Sequence, residues 1–108
     1  MVVGGHAHRV QGAGWLGRAY VAYGLGNFVW LNTRGTVDAV SGVLTVSVDP
    51  ARAHAQRGAG PSVVAGAAWT PLLIGDDGVP RPPEAAAAAS QQTAWVQARS
   101  CARLASTP

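Results

Sequence analysis

Hydrophobic and polar positions alternate most regularly over residues 43–49. Leu44, Val46 and Val48 fall on one side and Thr45, Ser47 and Asp49 on the other. That period of two predicts a strand with one face on a core. Pro50 ends it, and residues 51–61 read as a polar, glycine-containing loop. A second β-rich stretch covers 63–74. Pro71 has no N–H to give a ladder, which predicts a break or a sheet edge there. Gly75, Asp76, Asp77 and Gly78 form a turn, and residues 79–83 a proline-rich extended segment.

Upstream, Met1, Val2 and Val3 read as the last residues of a buried strand, stopped by Gly4 and Gly5. Residues 12–17 read as a glycine-rich connection and 18–23 as a strand favoured by Tyr20, Val21 and Tyr23. Gly24 and Gly26 interrupt it, an apolar run resumes over 27–31, and residues 32–35 form a loop. The helical segment is 84–105. Glu84 stands in its first turn, where a negative charge suits the dipole, and five alanines follow. Ala94, Ala98, Cys101 and Ala105 make an apolar stripe with Trp95 and Ala102 at its border; Gln92, Arg99 and Arg103 lie opposite. Trp95 is thus expected to dock on the sheet. The pattern predicts an α+β fold of four to five strands and one C-terminal helix.

Composition narrows this picture. The 108 residues allow one domain at most, and 48% hydrophobic against 12% charged residues exclude charge-driven disorder. No apolar run approaches the ~20 residues of a membrane span, and the first residues lack the basic and apolar regions of a secretory signal. All eight basic residues are arginines, scattered rather than gathered with aromatics, so nucleic acid is not an expected partner. Cys101 is the sole cysteine, has no internal disulfide partner and reads as a buried, inert thiol.

His6 and His8 are the sharpest chemical feature. In extended backbone, residues i and i+2 point to one side, roughly 6.5–7 Å apart at Cα. Two imidazoles so spaced can each reach one ion of a metal pair about 3.5–4 Å apart. Gly5 would let the backbone approach such a site closely. The carboxylates are few. Asp76 and Asp77 read as turn residues, Glu84 as a helix start and Asp49 as a strand end, leaving Asp38 as the one loose candidate ligand. His54 reads as a solvated loop histidine. Gly24 and Gly26 lack the third glycine of a dinucleotide fingerprint. Asn27 can cap a turn or orient a group near the histidines. The four tryptophans read as packing residues.

Gly5-His6-Ala7-His8-Arg9-Val10-Gln11, followed after a spacer by Tyr23-Gly24-Leu25-Gly26-Asn27-Phe28, resembles the bacterial capsule-synthesis CapA family of poly-gamma-glutamate biosynthesis. Members carry Gly-His-x-His-x-x-Gln and then a segment ending Tyr-x-Leu-Gly-Asn-Phe; Ala7 stands where Pro is frequent. The resemblance implies a calcineurin-like metallophosphoesterase, a four-layer α/β/β/α sandwich with a divalent metal pair (Mn, Fe or Zn). His6 and His8 would ligate one metal each, with Gly5, Gln11 and Asn27 at supporting motif positions. The family's other ligands lie upstream of this region. The chain is therefore expected to be the C-terminal portion of a longer, cell-envelope-associated parent, and inactive alone. The parent's implied substrate is a polyanionic polymer or small ester, and capsule-biosynthesis proteins are implied partners. The alternatives are a non-catalytic polymer assembly or export factor with a vestigial metal site, and a small β-rich interaction domain without metal.

Overall fold

The computed structural model describes residues 1–31, 37–55 and 60–108. The loop expected over 32–35, and part of the one expected over 51–61, lie outside the described residues. The fold is α+β. Strands β1 (Val2–Val3), β2 (Ala13–Leu16) and β3 (Ala19–Ala22) form one sheet in the order β1-β3-β2. Strands β4 (Val40–Val48), β5 (Val64–Ile74) and β6 (Pro80–Arg81) form a second, wholly antiparallel sheet in the order β4-β5-β6. Helix α1 (Pro50–Ala55) joins β4 towards β5, and helix α2 (Ala85–Cys101) follows β6.

The alternation over 43–49 holds at Leu44 and Val46, which pack against the core, and fails at Val48. The register slips between Ser47 and Val48. The extra residue is Ala65 on β5, and it turns Val64 into the core, while Val48, past the bulge near the end of β4, is exposed. Asp49 then changes role. Its Oδ1 accepts hydrogen bonds from the Ala51 and Arg52 amides at 3.0 and 3.2 Å, capping α1 with Pro50 at the first helical position. The polar loop expected from residue 51 therefore begins as a helix, and His54 sits on it, exposed.

β5 runs unbroken through Pro71, which lies opposite Gly42 of β4. β6 pairs only with Leu73 and Ile74, so at Pro71 the other side of β5 is an edge. The expected break is absent; the expected edge is present. After β5, Arg81 holds Asp77 through two hydrogen bonds of 2.6 and 2.8 Å. These, with the Val79 amide, keep the Asp77 carboxyl well below the usual carboxylate range. The pair is exposed and screened by water.

Residues 12–17 depart most from expectation. They contain β2, paired with β3 in a hairpin whose turn uses Gly17 at φ +57°. The glycines that suggested a loop serve close packing instead. A Cβ on Gly12 would stand 2.5 Å from the Ala98 carbonyl oxygen, and one on Gly14 2.6 Å from that of Ala105. Helix α2 and the segment after it lie directly on β2. Trp95, the one buried residue of α2, stacks on Trp69 of β5 at 4.3 Å between centroids and 7° between planes. Trp15 and Tyr20 meet edge to face at 5.2 Å. With Ala13, Ala22 and Val64 these rings form the core between the sheets and the helix.

The stripe on α2 is rotated from the expected one. Gln91, Ala98, Arg99 and Ala102 are half-buried beside Trp95, while Ala94 and Cys101 are exposed. One indole buries more surface than several methyl groups and so sets the face. The helix also ends at Cys101 rather than 105, and Glu84 is its N-cap residue rather than part of the first turn. Arg103 adopts φ +54°, its amide bonds to the Ser100 carbonyl, and the Leu104 amide bonds to the Arg99 carbonyl. This is a Schellman ending built without glycine, closed by buried Leu104. The chain then reverses, and Ala105 exchanges two 2.9 Å backbone bonds with Trp15. β1 is paired with β3 as expected of a strand, but both its valines are exposed, not buried. Residues 28–31 form an exposed bend, and Asn27 just before them is buried.

Gly12→Ala should destabilise the fold by about 2 kcal/mol or more, because only backbone faces the new methyl. Gly66→Ala on β5 meets nothing within 4 Å and should stay within about 1 kcal/mol of the parent, on the stabilising side. Urea denaturation of the two variants checks the contrast.

Candidate functional site

The histidines lie on the connection between β1 and β2. Gly4 continues the β1–β3 pairing through its amide, 2.7 Å from the Ala22 carbonyl, and a Cβ there would overlap the Tyr23 carbonyl oxygen. The close approach expected of Gly5 therefore belongs to Gly4; a Cβ on Gly5 meets nothing within 4 Å. His6 follows at φ +67°, in the left-handed region, so residues 6–8 are not extended. The alternation rule does not apply to them. A non-glycine residue held there carries strain on the order of 1 kcal/mol. The two rings nonetheless come together edge to face, with centroids 5.7 Å apart, and both are exposed.

Backbone pairing draws the second segment alongside the first. Val10 bridges Leu25, and the Gln11 amide bonds to the Gly24 carbonyl at 2.9 Å. Two residues further on, Asn27 faces His8. Its Oδ1 lies 2.7 Å from His8 Nδ1. An amide oxygen only accepts, so Nδ1 carries the proton, and in the neutral ring the Nε2 lone pair is left for another partner. The amide's other end fixes its direction. Nδ2 donates to the Asp38 carbonyl at 3.1 Å and, at 3.5 Å, to the carbonyl of His8 itself. The Asn27 carbonyl accepts the hydroxyl of Ser41, which is fully buried on β4, at 2.5 Å. Asn27 is only 8% exposed, so these bonds compete with little water. Of the two roles open to Asn27 in the sequence, orienting a group at the histidines is the one observed.

Trp30 packs on His8 with centroids 4.9 Å apart, and its amide bonds to the Gly78 carbonyl at 3.1 Å. Read from the sequence as a packing residue, it sits at the site and is partly exposed. Gln11 does not reach the rings: its side chain is exposed, and its Oε1 lies next to Gly24. Asp38 stands in a 3-10 turn, Val37–Ala39, with its carboxylate 3.7 Å from Arg9 Nε. Ser41 was not visible as a site residue; only its place in an otherwise apolar strand start marks it.

Two exposed imidazoles, one with a fixed tautomer and an open Nε2, suit a borderline divalent metal such as Zn²⁺. A ring separation of 5.7 Å fits a shared ion or two adjacent ones. Among the described residues no three His, Cys, Asp or Glu side chains gather as a metal-holding group. No helix among them is long and apolar enough to cross a membrane. No protein-family model, curated protein or solved structure matches the chain.

Asn27→Ala removes the bonds to His8 and Asp38 from a buried position. It should cost about 1–3 kcal/mol of stability by urea denaturation.

Proposed function

We propose that His6 and His8 are two ligands of a divalent metal centre completed by residues outside this chain, in a CapA-like protein of the calcineurin-like metallophosphoesterase class. The observation that carries this reading is the bond between His8 Nδ1 and Asn27 Oδ1. It unites the two separated segments whose sequences resemble the family's motifs. It also gives Asn27 a physical task, since metal-bound histidines characteristically donate their second nitrogen to a fixed acceptor. The parent would act in capsule or poly-gamma-glutamate biosynthesis, on a polyanionic polymer or small ester. When bound, the metal pair would polarise the ester and activate water. This chain's own share is to hold two imidazoles open to the ions, with the His8 proton kept at Nδ1.

The alternative is a non-catalytic assembly or export factor with a vestigial site. It draws support from Phe28, Val29 and Leu31, large exposed apolar side chains flanking the Trp30 that packs on His8, with Leu31 80% exposed. Such a patch suits docking to another envelope protein.

Zn²⁺ titration by calorimetry should show binding that His8→Ala abolishes and Asn27→Ala weakens about tenfold or more, while His54→Ala leaves it unchanged. The 108 residues alone should hydrolyse an aryl phosphate no faster than buffer with Mn²⁺ or Zn²⁺. Zn²⁺ binding indifferent to His8→Ala would overturn the ligand assignment. Robust turnover abolished by His6→Ala would overturn the need for outside ligands.

A further inference from the structure

A cavity of about 220 Å³ opens between the β2–β3 hairpin, β5, the end of α2 and the final residues of the chain. None of His6, His8 or Asn27 lines it. Its polar side chains are those of Arg99, Tyr20, Ser106 and Thr107, and Pro108 lines it as well. Arg99 is half-buried there, and its guanidinium has no hydrogen bond or ion pair with any described residue. Tyr20 is 5% exposed, and its hydroxyl likewise has no hydrogen-bond partner among them. No Asp or Glu side chain lines the cavity.

An arginine carries five N–H donors in a planar fork and no acceptor. Half-buried, it gives up part of its hydration, and no ion pair with a described residue offsets that. The surrounding structure explains why Arg99 is there at all. The buried face of α2 is set by Trp95, and residue 99 follows it by four, on the same side of the helix. Gly14 leaves the space the arginine stem occupies, since a Cβ there would stand 2.9 Å from Arg99 Cδ. The guanidinium also lies close enough to Tyr20 to oppose the rise that burial imposes on the phenol's pKa.

We propose that this cavity binds a small oxyanion of carboxylate or phosphate type, held by the Arg99 fork and the Tyr20 hydroxyl. Such an ion offers acceptors to the Arg99 fork and the Tyr20 hydroxyl, and a charge opposite to that of Arg99. The site is independent of the histidine pair.

Trp15, Trp69 and Trp95 line the same cavity and report on it directly. The intact chain is titrated with sodium phosphate and, separately, sodium acetate, at ionic strength held constant with sodium chloride. Tryptophan fluorescence and calorimetry are followed. Saturable binding of either anion is expected, and which one saturates identifies the preferred oxyanion. Arg99→Gln should weaken it about tenfold or more, and Tyr20→Phe about threefold. His8→Ala should leave it unchanged. Should Arg99→Gln fail to fold, Arg99→Lys keeps the charge but loses the fork, and should still weaken binding severalfold. Failure of both anions to saturate, or equal affinity in a folded Arg99 variant, overturns the proposal.

Discussion

The side chain and carbonyl of Asn27 are bonded in three directions, and each bond ends on a different part of the chain. Oδ1 meets the His8 ring, Nδ2 meets the carbonyl of Asp38, and the main-chain oxygen takes the hydroxyl of Ser41 at the start of β4. The loop that carries the histidines extends from one sheet; Ser41 belongs to the other. A single buried amide thus ties the geometry of an exposed histidine to the packing of both sheets. Low exposure makes each bond costly to lose, and mutual constraint makes the ring's direction a property of the fold.

That fold is assembled with few large side chains. Where many proteins interlock branched aliphatic residues, this chain brings backbones close through glycine and alanine and fills the remaining space with indoles. Gly12 and Gly14 let α2 and its trailing segment lie on β2, and Trp95 over Trp69 closes the gap between helix and second sheet. The tail after α2 pairs with Trp15, so β2 is flanked on both sides. The same arrangement carries Arg99 inward against Gly14, beside the cavity it lines.

Strong periodicity made β4, β5, β3 and the helix readable from residues alone, as it did the docking of Trp95. What escaped reading shares a cause: small residues carry two meanings. The glycines of residues 12–17 look identical whether they turn a loop or admit a helix, and only the partner, far along the chain, decides. The helix end at Cys101 was hidden because its left-handed residue is Arg103 and not glycine. Alanines set no amphipathic face, so the stripe could not be phased until Trp95 fixed it, and Cys101 fell outside it. At the site, the pairing of His6 with His8 and a possible orienting role for Asn27 were legible. The left-handed turn at His6 was not, because alternation presumes an extended backbone. Ser41 bonds across 14 residues to a main-chain oxygen, a contact no local pattern encodes.

The histidine pair, the amide behind it and the strained residue before it concentrate local cost at one exposed place, as functional sites commonly do. Two segments well separated in the chain become one constellation only after folding. Everything proposed for that constellation depends on where the His8 proton resides. Long-range proton–nitrogen NMR of the neutral ring reads this directly. Nδ1 should be protonated with the lone pair on Nε2, and Asn27→Ala should release the ring to a mixture of tautomers. A native His8 protonated at Nε2 would contradict it.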